Sequence, residues 1–452
     1  MSYDLTQTLF LLSMAANRSS VVQSAPGQNP KPANPSDLQQ FFSLALNNPQ
    51  NQTLDIYVKD VEIKNAQISG FFDNVSGQLA GGTWDVVWGP QVFSNPNNKD
   101  DLEADNALYV AHNATLDMWV VAIAATNMSS TYDWEDEDFS VRKMVNFPFD
   151  PTQALEVVSP DAGVAQVTQG TALGVSILLS QMPDPTTGDS LGTFLTNLIT
   201  TGVATSASNL IFTGHSLAGA LSPTTALLLQ PTLAAAGWTN IYVLPTAGAT
   251  PGNAVFVDQF TSTFKPTAAT VVAPSIAQAS GNIITTLNQL YWNQDDVVPR
   301  AWTQLTSYLT YTPGRFAGHY NIAPNNELIE LLFGAGLKAA LATAQSWGTS
   351  SNLQQLTNNT SFTATFPVTY WDGSTTSWAE YSPPTEIFGV DGLLQIIAQV
   401  HIGQYFQPFN LTPKDYLPPL PTTKTPDEFE KLIALLKRLF GLGIARYEAA
   451  NA

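Results

Sequence analysis

The chain has 452 residues, of which 44% are hydrophobic, 10% aromatic and only 12% charged. That composition excludes a disordered tail protein and predicts a globule with a large core and a surface rich in uncharged Ser, Thr, Asn and Gln. Seventeen Lys and Arg against 36 Asp and Glu leave a net charge of −19, which argues against nucleic acid as a partner because a phosphate backbone needs clustered basic residues.

The absence of cysteine removes disulfides, thiolate catalysis and cysteine-held metal centres together. At the start, "MSYDLTQTLFLLSMAANRSS" has an apolar patch from Leu9 to Met14. It lacks a basic region before that patch, and Asp4 stands where a lysine is wanted, so it is a poor signal peptide. Few lysines and no thiols favour life outside the cell, while the missing leader stands against it. No window approaches the roughly 18–20 apolar residues of a membrane-spanning helix.

Residues 1–50 read as an irregular N-terminal lead, with a Pro-, Asn- and Ser-rich stretch at 20–37. The segments "TWDVVWGPQVF" and "ALYVAHNATLDMWVVAIAAT" read as strands, the second splitting into a hairpin at Asn113 to Asp117. From Ser159 helical spacing takes over, and a second helix, "SLGTFLTNLITTG", leads to "NLIFTGHSLAGALSPTTALLL". There Leu210 to Thr213 suits a short buried strand and Leu217 onward a helix, which puts Ser216 at the turn between them. "NIYVLPTAGATPGNAVF" and "NIITTLNQLYWNQDDVVPRAW" repeat the plan of a strand followed by a polar turn. Strand and helix in this rhythm predict a mainly parallel sheet covered by helices on both faces.

The main domain is placed at 51–410, with an insertion at about 325–375. Residues 411–452 read as a Pro-rich linker and an amphipathic C-terminal helix. Thr425 to Glu428 cap that helix, and Phe429, Ile433, Leu436 and Phe440 form its stripe. Lys431, Lys437, Arg438 and Arg446 lie among the apolar residues, so docking on the main domain and contact with a membrane surface both stay open.

A serine at a strand-to-helix turn is a weak nucleophile until a base takes its proton and a third group orients the base. In the nucleophile elbow the chain order is Ser, then Asp or Glu, then His, so the partners of Ser216 are sought downstream. Of four histidines, His112 precedes the serine and His215 is locked beside it; His319 and His401 both follow.

"GHSLAGA" resembles the elbow of the class 3, fungal-type lipases, with Ala218 where that family has glycine. "VVAIAATNMSSTYDWEDEDF" is similar to the family's strand and oxyanion loop, with Ala124 and Ala125 replacing Arg-Gly and with Thr126 and Trp134 kept. "PTAGATPGNAVF" and "NQDDVVPRAW" resemble two further segments in the family's order, and His401 followed by Tyr405 resembles its His-x-x-x-Tyr. The resemblance implies an α/β-hydrolase-type fold with a C-terminal helical extension, in which 51–410 is the catalytic domain. It implies Ser216 as nucleophile, Asp296 rather than Asp295 as orienting acid, and His401 rather than His319 as base. Leu217 N–H, directly after the nucleophile, and Thr126 become the oxyanion donors. The segment from about Asn127 to Pro148, carrying Trp134, Phe139, Val141 and Met144, is either a mobile lid or a fixed surface helix. The implied reaction is hydrolysis of carboxylic esters of lipids with no metal or cofactor, with transient contact at a lipid interface. A phospholipase or acyltransferase of the same family, or a non-catalytic binding protein on a hydrolase scaffold, are the competing readings.

Overall fold

The apolar runs of the sequence become the strands of one sheet. The computed structural model describes residues 2–21, 35–58, 61–96, 104–125, 140–305, 342, 345–371, 378–382 and 399–416. Strands β1 (Asp85–Phe93), β2 (Asn106–Asn113), β3 (Met118–Ile123), β4 (Asn209–His215), β5 (Asn240–Thr246), β6 (Leu290–Asn293) and β7 (Asn359–Phe362) lie side by side in chain order. β1 to β3 pair antiparallel, joined by the hairpin expected at Asn113 to Asp117, and β3 to β7 run parallel.

Successive side chains of a strand point to opposite faces, and here both faces are covered. Leu210 and Phe212 of β4, Val121 and Ile123 of β3 and Val243 of β5 enter one cluster. Ile211, Val120, Ala122 and Leu244 enter the other. Removing one ring from such a site, as in Phe212→Ala, costs about 3–5 kcal/mol.

Helix α1 (Leu5–Ala16) covers the second of these faces, while α2 (Gln169–Ser176), α3 (Leu191–Thr200), α4 (Leu217–Ala236) and α5 (Ala254–Thr263) cover the first. Side chains of Thr168, Ser190 and Asn253 cap α2, α3 and α5 by accepting first-turn N–H groups. A mainly parallel sheet with helices on both faces, and a sharp turn from β4 into α4, make this an α/β-hydrolase fold. Among the described residues no helix is long and apolar enough to cross a membrane.

The N-terminus corrects the expectation of an irregular lead over residues 1–50. All twelve residues of α1 are buried, and Asp4 and Gln7 close a capping box at its start. The second Asp4 oxygen accepts from Gln278 Nε2, Ala279 N–H and Asn282 Nδ2 at 2.7, 2.9 and 2.7 Å, so hydrogen bonds offset the burial of this carboxylate. Polar residues of α1 are satisfied by distant backbone: Thr6 Oγ1 donates to Ile284 O at 2.7 Å and Gln7 Nε2 to Phe409 O at 2.7 Å. A helix enclosed on every side shows no amphipathic stripe, which is why its spacing was silent.

Two more expectations change. Within the insertion placed at 325–375, Asn359–Phe362 is β7, an integral strand hydrogen-bonded parallel to β6. Within the cover placed at 127–148, Met144–Asn146 is a strand paired with Gln166–Thr168 in a small second sheet. Val141 and Met144 are buried there against Trp302 and Leu353. Trp134 and Phe139, and the linker and final helix from 417 on, lie outside the described residues.

Candidate active site

β4 ends at His215 and α4 begins at Leu217, leaving Ser216 alone to turn the chain at φ 61° and ψ −125°. A side chain other than glycine held there costs roughly 1–3 kcal/mol, and the surroundings must hold it. Ser216 N–H donates to Thr246 O of the neighbouring strand at 3.0 Å, and Gly219 N–H donates to Ser216 O at 2.8 Å. Backbones cross closely beneath the turn. A Cβ on Gly214 would lie 2.5 Å from the Ala218 methyl, and one on Gly219 would lie 2.4 Å from Thr246 O. The bare Gly214 thus accommodates Ala218, whose extra methyl was the departure from the elbow pattern.

Ser216, Asp296 and His401 come together at the carboxyl end of the parallel strands. His401 Nε2 lies 2.7 Å from Ser216 Oγ, and His401 Nδ1 lies 2.7 Å from Asp296 Oδ2. A carboxylate only accepts, so Nδ1 holds the ring proton and Nε2 turns its lone pair to the serine hydroxyl. Asp296 follows β6 and its side chain is fully buried, whereas the His401 side chain is 13% exposed. Val298 N–H donates to Asp296 Oδ1 at 3.0 Å, and Tyr405 O–H donates to Oδ2 at 2.7 Å. Burial, and then the charge of Asp296, push the Tyr405 phenol well above its usual range, so it stays a donor. Tyr405 Oη in turn accepts Asn293 N–H at 3.0 Å, and Asn293 Nδ2 donates to Gln404 Oε1 at 2.6 Å. These bonds clamp the short helical turn Gly403–Phe406, just after His401, onto the end of β6.

The remaining candidates divide. Leu217 N–H opens α4 and, as a donor of the first turn, has no carbonyl one turn back within the helix to bond. Thr126 and His319 lie outside the described residues. Of the residues leading to Thr126, Ala124 N–H donates to Ala107 O at 2.9 Å and Ala125 N–H to Asn17 Oδ1 at 2.6 Å. The buried Asp295 is not the carboxylate that meets His401. His112 stacks on Trp119 with centroids 4.1 Å apart, away from the serine.

His215 points away from the Ser216 hydroxyl, yet it reaches the site by another route. Its Nε2 lies 2.9 Å from the backbone oxygen of His401 and its Nδ1 lies 2.9 Å from Thr246 Oγ1. Burial, and then the neighbouring His401, hold its pKa well below the usual imidazole value. Sequence reasoning also missed α1, whose Phe10 packs edge-on to His215 at 6.3 Å and to Phe406 at 5.1 Å and stacks on Phe409 at 4.3 Å. No local signal marks these contacts, which join residues hundreds of positions apart. Among the described residues no group of three His, Asp or Glu side chains is placed to hold a metal ion.

No protein-family model matches the chain, and no curated protein does. Among solved structures it is similar to the M37 lipase, with TM-score 0.54 and 21% identity over 96% of this chain and 100% of the other. It also matches a lipase from Rhizopus microsporus var. chinensis, with TM-score 0.28 and 12% identity over 48% of this chain and 55% of the other. A triacylglycerol lipase from Penicillium expansum gives TM-score 0.29 and 13% identity over 48% and 63%. The first likeness establishes the shared fold; the other two are too partial to carry an argument.

Proposed function

We propose that this chain is a serine hydrolase of the class 3 lipase type that cleaves carboxylic esters of lipids through an acyl-serine intermediate. The observation that carries the reading is the alignment of hydroxyl, imidazole and carboxylate, 2.7 Å apart at each step, on a strand-to-helix turn. The lipid class rests on the motif resemblance and on the name of the M37 lipase, whose fold this chain shares.

In this mechanism His401 Nε2 takes the Ser216 proton as Oγ bonds to the ester carbonyl carbon. Asp296 stays ionised and steadies the imidazolium. The negative oxygen of the tetrahedral intermediate meets Leu217 N–H and, on this reading, Thr126; each such donor is worth about 3 kcal/mol to the transition state. His401 then gives its proton to the leaving alkoxide as the carbon–oxygen bond breaks, which leaves the acyl group on Ser216. Water, deprotonated by the same nitrogen, attacks the acyl carbon, and the returning proton frees Ser216 and the acid. An alcohol in place of water would make the chain an acyltransferase, and a phospholipid ester would make it a phospholipase.

The test is hydrolysis of p-nitrophenyl esters of graded chain length, with and without an alcohol acceptor. Turnover that rises with acyl length and is abolished in Ser216→Ala is expected. Equal turnover in Ser216→Ala overturns the reading, and product formation only with the alcohol replaces hydrolysis by transfer.

A further inference from the structure

His215 is a buried imidazole for which the reaction above has no use. Ser216 and His215 are adjacent at the end of β4, and both reach His401: Ser216 Oγ meets the ring at Nε2, and His215 Nε2 meets the backbone oxygen, at 2.7 and 2.9 Å. A carbonyl only accepts, so His215 carries its proton on Nε2, and its bare Nδ1 accepts the Thr246 hydroxyl. Thr246 fixes both neighbours, since its carbonyl takes Ser216 N–H. The ring of His215 is walled by Phe10, by Tyr405 with centroids 4.8 Å apart, and by the His401 ring at 5.0 Å.

Resting on the esterase reading, we propose that His215 is a positioning residue that grips the backbone of His401 and thereby holds the base in line with Ser216. His401 is the last residue of a helical segment described from 399, so its carbonyl is one of the C-terminal ones that have no N–H partner within the helix and must be met from outside it. Without the His215 donor, its carbonyl turns to find another partner, and the imidazole moves with the peptide. A shift of about 1 Å at a reacting pair lowers the rate on the order of 100-fold without weakening substrate binding. One strand end therefore fixes nucleophile and base relative to each other, because adjacent residues hold them.

The experiment compares wild type, His215→Phe and His215→Gln on p-nitrophenyl butyrate, with folding checked by thermal melting. Phenylalanine fills the space without a donor, and glutamine restores an N–H near the position of Nε2. His215→Phe is expected to lose about 10- to 100-fold in kcat at nearly unchanged KM, and His215→Gln to recover most of it. A folded His215→Phe with wild-type kcat, or a glutamine variant as impaired as phenylalanine, overturns the proposal. Should phenylalanine prevent folding, Thr246→Val takes its place. It removes the hydroxyl that fixes the His215 tautomer and lowers kcat at constant KM; an unchanged kcat overturns the proposal. Proton NMR reads the same question without turnover. The downfield Nδ1–H resonance of His401, present in wild type and His215→Gln, is expected to broaden or vanish in His215→Phe; an undisturbed resonance counts against the grip. If wild type turns over no ester, the esterase reading fails, and this resonance still decides the role of His215.

Discussion

His401 and His215 place the same side chain 5.0 Å apart, and their neighbours give it opposite duties. His401 is 13% exposed, with its protonated nitrogen on a carboxylate and its lone pair on a hydroxyl, the arrangement that the proposed reaction asks of its base. His215 is sealed among Phe10, Tyr405 and Thr246, with its proton spent on a backbone carbonyl and its lone pair on a threonine. A buried neutral imidazole so bonded is a fixed strut. The chemistry of a histidine is decided by what its two nitrogens meet and whether water reaches it.

The contrast can be broken most severely at the base. His401→Ala removes the proton acceptor and is expected to cut kcat on a soluble ester by about 10⁶-fold, whereas His215→Phe stays far short of that loss. Comparable losses in the two variants would erase the distinction.

A second test addresses the wall that keeps water from His215. Phe10→Ala opens a cavity against Phe406 and Phe409 and is expected to cost about 3–5 kcal/mol in denaturant unfolding. A loss below about 1 kcal/mol would mean that α1 is not a true part of this core.

The smallest effect concerns acid. Below about pH 6.5 the unfolded chain binds a proton on His215 that the folded chain refuses, because burial holds its folded pKa down. Stability contributed by the neutral ring is therefore complete above that pH and is lost as pH falls toward the depressed folded value. Unfolding free energy measured from pH 7 downward should decline more steeply in wild type than in His215→Gln. Equal slopes would show that His215 titrates alike in both states.

Much of the site was legible because its signals are local. The apolar run into Gly214 and the small residues after Ser216 follow from what an exposed hydroxyl at a strand-to-helix turn needs, and the order of Ser216, Asp296 and His401 along the chain follows from the resemblance. Val298 and Pro299 after Asp296, and Tyr405 after His401, placed the other two partners by resemblance, and the hairpin at Asn113 to Asp117 followed from strand period and turn residues. The supports were illegible for the opposite reason. Thr6 and Gln7 look like solvent-facing polar residues until Ile284 and Phe409 supply buried carbonyls from 278 and 402 positions away. Of β7, Asn-Thr-Ser-Phe, only the end falls in the stretch from Ser361, "SFTATFPVTYWDG", that reads as an added strand, because Phe362 alone of its four residues enters the core. The grip of His215 on His401 depends on a contact 186 positions away, which no spacing rule can announce.

The most direct measurement is mass-spectrometric mapping of a fluorophosphonate adduct on folded wild type and on His401→Ala. The account predicts one adduct, on Ser216, in wild type, and almost none in the variant over the same time. An adduct on another residue, or equal labelling of Ser216 without His401, would contradict it.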